Sequence, residues 1–140
     1  MGNDRIERLL NEIGHILAED TEYPLDGTLL YAQVDTNWVA PSIFKPRGNH
    51  VLYRWPDLDR ISVPLLDLWE EQEPERRWAE IEYVIRGAKF AATFNYPEEI
   101  APDEEPLDRR DRIVARHFGD KPIVYPPSFP DYDSAETFEV

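Results

Sequence analysis

The sequence predicts an α+β domain: an antiparallel sheet of about four to six strands with helices packed mainly on one face. Three features predict it. Residues 78–96 alternate as a hairpin, with Ile81, Tyr83 and Ile85 on one face of the first arm. Phe90, Ala92, Phe94 and Tyr96 do the same in the second arm, and Gly87-Ala88 turns the chain between them. Near the start, Ile6, Leu9, Leu10, Ile13, Ile16 and Leu17 recur at the spacing of one helical stripe. The order of patterns along the chain (helix, several strands, helix, hairpin, helix) suits helices laid on an antiparallel sheet.

The first helix spans about residues 6–17, with Asp4 and Glu7 as a capping pair; Gly14 and His15 weaken it slightly, and Pro24 and Gly27 prevent its continuation. Residues 28–35 form a strand in which Leu30, Ala32 and Val34 alternate with Leu29, Tyr31 and Gln33. Both faces are fairly apolar, which marks a central strand. Residues 37–44 give a second strand carrying Trp38, Ala40, Ser42 and Phe44 on one face, and Pro41 demotes it to an edge or a bulge. Residues 45–49 are a turn, and residues 50–55 a third strand with Val51, Tyr53 and Trp55 aligned. A helix is expected over residues 62–72, capped by Ser62, with Leu65, Leu68 and Trp69 inside and an acidic end at Glu70, Glu71 and Glu73. After the hairpin comes an acidic loop, residues 97–106, and then a helix over residues 107–118. Ile113, Val114, His117 and Phe118 mark the buried side of that helix, and Gly119 stops it. The remaining 120–140 are a Pro-rich, acidic tail, extended at least over 122–130, so the expected organisation is one domain, residues 1–119, and a tail.

The formal charge is 15 minus 29, or −14. That excess argues against a nucleic-acid binder, which needs Lys and Arg to displace counterions from phosphate, and equally against docking on an anionic membrane. It favours solubility and fast encounter with a cationic partner. Cysteine is absent, which excludes disulfides, thiol catalysis and thiolate metal sites. The chain start has no apolar signal segment and no run approaches membrane-spanning length, so a cytoplasmic location is the expectation.

Signatures of catalysis are scarce. His15, His50 and His117 have no companions at metal-ligand spacing, and no metal or cofactor is expected. Ser42, Ser62, Ser128 and Ser134 sit in no nucleophile elbow, and the isolated glycines form no phosphate-cradling loop. Any two of the 29 carboxylates could meet across the sheet as an acid/base pair, a coincidence that carries little information at that abundance. The aromatics lack interleaved cations and read as core rather than as a base-stacking platform.

The acidic loop offers two readings. Glu98, Glu99, Asp103, Glu104 and Glu105 are either a solvated surface or a phosphate-like face for a basic groove, with Glu70, Glu71 and Glu73 as a second patch. Other segments point to a family. The amphipathic first helix, the strand Leu30-Tyr31-Ala32-Gln33-Val34, the aromatic strands over 38–44 and 50–55, and the Leu-rich helix at 65–69 occur in a telling order. They are followed by Trp78, Gly87, Lys89-Phe90 and Phe94-Asn95-Tyr96, and by an Arg-rich helix from Arg109-Arg110 to Phe118-Gly119. Together, over residues 4–119, they resemble the YezG-like family of bacterial immunity proteins. Ala88, between Gly87 and Lys89, and the Pro-rich tail depart from that pattern.

The resemblance implies an α+β fold and a non-catalytic cytoplasmic protein that neutralises a toxin, often a basic nuclease. A second possibility is a small regulatory or scaffold domain that binds a protein through its tail. A third is a hydrolase with paired carboxylates, which would need a buried acid pair in a deep pocket.

Overall fold

The computed structural model describes residues 2–126, with side chains from residue 4 onward; residues 127–140, which hold most of the expected tail, lie outside the described residues. The elements are α1 (Gly2–Leu17), β1 (Leu29–Asp35), β2 (Trp38–Pro46), β3 (Val51–Arg54), α2 (Leu58–Glu70), β4 (Glu80–Arg86), β5 (Lys89–Asn95), α3 (Pro106–Phe118) and β6 (Ile123–Val124). Single 3₁₀ turns, Pro74–Arg76 and Pro97–Glu99, precede β4 and follow β5. The six strands form one sheet in the order β5-β4-β1-β2-β3-β6, so the fold is α+β as the sequence predicts. Pairing is antiparallel throughout except for β6, which runs parallel to β3.

The period-2 alternation sorts the side chains onto two faces. On one, Leu30, Ala32 and Val34 of β1 and Ile81, Tyr83 and Ile85 of β4 meet Leu9, Ile13 and Leu17 of α1 and Ile61, Leu65 and Leu68 of α2. Each such fully buried side chain contributes about 1.5–3 kcal/mol, so this layer is the main source of stability. The sequence places the helices mainly on one face, and α1 and α2 share it. The third, α3, lies across the other face, where Leu29, Phe44, Val51, Tyr53 and Val84 meet Val114.

Several boundaries differ from expectation. Helix α2 starts one turn before Ser62, because Ile61 is wholly buried beside Leu65 and Leu68 and the Asp57 carbonyl already accepts the Arg60 and Ile61 amides. Pro64 therefore lies inside the helix; the carbonyl that loses its bond belongs to exposed Arg60, where water can satisfy it. Strand β2 is interior rather than an edge and continues through Lys45-Pro46, expected as turn. Pro41 is tolerated because β3 pairs only with Ile43–Pro46 of that strand; the half that carries Pro41 has a neighbour on one side alone. His50 and Trp55 fall outside β3, and Trp55 is 48% exposed. Gly87 has φ 64° while Ala88 keeps negative φ, the pattern of a II′ hairpin turn, so the inserted alanine fits the β4–β5 connection. The sheet also runs past residue 119, since Ile123–Val124 join its far edge.

Candidate functional site

Two regions carry the charge chemistry, one beneath α3 and one at the end of the sheet where β4 begins and β5 ends. Alternation in β4 turns Glu80, Glu82 and Val84 to the α3 face, opposite Ile81, Tyr83 and Ile85. Glu80 is 0% exposed and Glu82 3%. The carboxylate of Glu80 accepts bonds from Arg109 Nε at 2.5 Å, Arg109 Nη2 at 2.9 Å and Asn95 Nδ2 at 3.0 Å, and from the Tyr31 hydroxyl. That of Glu82 accepts from Arg116 at 2.5 Å, Asn95 at 2.7 Å and His117 Nε2 at 2.7 Å. Burial pushes the Glu82 carboxyl up, but the bonds from His117, Arg116 and Asn95 outweigh it and hold its pKa down at about 2. Burial and the bond to Glu80 raise the Tyr31 hydroxyl above its usual value. Helix α3 buries only Arg109, Ile113 and Val114, so it is fastened as much by this network as by apolar contact.

A carboxylate has room for about four hydrogen bonds. Glu80 accepts four and Glu82 three, all from the protein itself. The pair is therefore arranged to hold a helix, with little lone-pair capacity left to take a proton from a substrate. Sequence reasoning missed these groups. The available signal was two glutamates at alternate positions in an otherwise apolar strand, followed by arginines at 109, 112 and 116 along one helix.

The expected acidic patches flank the second region. Strand β4 begins where β5 ends, so the segment after α2 and the segment after β5 reach the same end of the sheet. Pro74 from the first and Pro97 from the second line one cleft of about 340 Å³, together with Asp35, Trp69, Arg77 and Trp78. The Trp69 indole donates to the Trp78 carbonyl at 2.8 Å, and the Arg77 guanidinium covers the Trp69 ring at 4.4 Å. The buried indole N–H of Trp78 has no partner among the described residues.

The eight predicted acids divide into two groups. Glu71 is bound by Arg5 at 2.5 Å, Glu99 accepts the Tyr96 amide at 3.1 Å, and Glu104 is held by Arg112 at 2.9 Å, with its pKa lowered by that bond. Glu70, Glu73, Glu98, Asp103 and Glu105 are exposed and have no ion-pair partner among the described residues. Glu105 also occupies the N-cap position of α3, where its carbonyl accepts the Arg109 amide at 2.9 Å.

A larger cleft of about 670 Å³, also missed from sequence, lies between α1, β2 and α2 and is lined by Asp20, Tyr23, Lys45, Arg54, Trp55 and Asp57. Its charges are largely matched internally. Arg54 binds Asp20 at 2.7 Å and Glu22 at 2.6 Å. The buried Lys45 ammonium donates to the Pro24 carbonyl and the Thr28 hydroxyl, each at 3.0 Å, and burial lowers its pKa. Among the described residues no cluster of three or more His, Asp or Glu is placed to hold a metal ion, and no helix is long and apolar enough to cross a membrane. No family model matches this chain, and no curated protein sequence does.

Proposed function

We propose that the chain is a non-catalytic binding protein that captures a basic protein at the acidic end of its sheet, in the manner of the immunity proteins it resembles, in the cytoplasm. One observation carries this: Glu70, Glu73, Glu98, Asp103 and Glu105 leave their charges unpaired among the described residues, on two segments that meet at a cleft walled by Trp69 and Trp78. Unpaired charges on preformed backbone steer a cationic partner toward that end of the sheet. The net charge of −14 supports the same partner class, a toxin with a groove built for phosphate. The four internal donors on Glu80 and three on Glu82 weigh against the paired-carboxylate hydrolase.

The test begins with capture from the native host by the full chain and purification of what binds. The captured protein should be basic, and its nuclease activity should be blocked at one-to-one stoichiometry. Reversing the five acids should slow association and flatten its salt dependence. An anionic ligand, or equal rates for the reversed variant, would overturn the proposal.

A further inference from the structure

We infer that the outer edge of β5 pairs with β5 of a second copy of this chain, antiparallel and centred on Ala92, joining two sheets into one. Strand β5 ends the sheet order, and its seven residues, Lys-Phe-Ala-Ala-Thr-Phe-Asn, contain no proline. Its neighbour β4 pairs with it continuously from Arg86↔Lys89 to Glu80↔Asn95. A two-residue hairpin loop makes the flanking pair a hydrogen-bonded one, so residues 89, 91, 93 and 95 spend their backbone groups on β4. Phe90, Ala92 and Phe94 then aim theirs outward. No backbone bond to these outward groups is found among the described residues. Proteins ordinarily blunt such an edge with a proline, a bulge, inward charges or a covering loop. Here the one charged residue is Lys89 at the end of the strand, and Ala91 and Thr93 are exposed.

The strand is complementary to itself. Pairing centred on Ala92 sets Ala92 against its own copy and Phe90 against Phe94 of the second copy, and all of these residues have outward backbone groups. The register therefore closes about six hydrogen bonds at once. The phenylalanines are half-buried on the α1/α2 face, so the apolar layer continues across the joint. Charge follows the same two-fold. Arg86 and Lys89 are exposed at one end of the hairpin without an ion-pair partner among the described residues, and Glu98 follows closely on the other end of β5. Antiparallel pairing brings the cationic end of each copy beside the acidic end of the other. Such an isologous contact closes at two copies and leaves no free β5 edge.

The test uses the full chain. Sedimentation equilibrium over a wide concentration range should show a monomer–dimer equilibrium. Ala92→Pro removes one outward N–H and places a ring on the edge. It should weaken association by about tenfold or more while leaving the circular dichroism of the monomer unchanged. Register is read independently by cross-linking, which the absence of cysteine makes clean. Ala91 of one copy faces Thr93 of the other at a close, non-hydrogen-bonded pair. A mixture of Ala91→Cys and Thr93→Cys chains should therefore form a mixed disulfide faster than either variant forms one with itself. A monomer at every concentration, a dimer indifferent to Ala92→Pro, or self-linking as fast as mixed linking would overturn the inference. So would a chain that remains monomeric alone and pairs its edge only with a different protein.

Discussion

Replacing Arg109 by Met should cost this protein about 3–5 kcal/mol, because it leaves the buried carboxylate of Glu80 without its counter-charge. The two N–H bonds from Arg109 are short, at 2.5 and 2.9 Å, and Glu80 is 0% exposed, so water cannot replace them in the folded chain. Bonds to a charged group contribute about 1.5–3 kcal/mol each, a gross loss of the same size. The apolar attachment of α3 rests on Ile113 and Val114, about 1.5–3 kcal/mol apiece when fully buried. The polar clamp thus equals the apolar one, and its loss should loosen α3 before the rest of the fold.

Urea unfolding measures the total. Amide exchange should show α3 opening below the global transition, while the fluorescence of Trp69 and Trp78, on the opposite side of the sheet, reports the main core. The double variant Glu80→Gln/Arg109→Met removes the orphaned charge and should recover about 2 kcal/mol or more. A cost under about 1 kcal/mol for Arg109→Met, or no recovery in the double variant, would refute the view that this pair is a clamp.

Acid should act through Glu82. Its folded pKa, about 2, lies below the ordinary value of 4.5, so its stabilisation is complete above about pH 4.5 and is lost as pH falls toward 2. His117→Ala should flatten that part of a stability-versus-pH curve; an unchanged slope would count against the assignment. Gly14→Ala should destabilise by about 1–2 kcal/mol in urea although alanine is the better helix former, because the new Cβ would stand 2.7 Å from the Tyr83 hydroxyl. That hydroxyl donates to the Leu10 carbonyl at 2.7 Å, and burial pushes its pKa up to about 12. Gly14→Ala at wild-type stability would show that Tyr83 moves freely. Charge reversal of Glu70, Glu73, Glu98, Asp103 and Glu105 should leave the melting temperature within a few degrees of wild type, since exposed unpaired charges contribute little to stability; a large drop would assign them a structural role instead.

The sequence by itself determined the class of fold and several of its elements. Period-2 and period-3.6 spacing are properties of neighbours along the chain, so β1, the β4–β5 hairpin, α1 and the buried residues of α2 were readable from Leu30, Ile81, Ile13 and Leu65 and their partners. It also determined the acidic character and the two segments, 70–73 and 98–105, that carry it. Tertiary structure decided which of those charges stay available. Glu104 and Glu98 look alike in the chain, yet Arg112 is folded onto one and, among the described residues, no cation is folded onto the other. It likewise decided that α3 crosses to the second face, where Arg109 and Arg116 bind the glutamates of β4. Whether a carboxylate is exposed, saturated or free depends on residues about 30 positions away, as Arg109 is from Glu80, and local pattern carries no information over that distance.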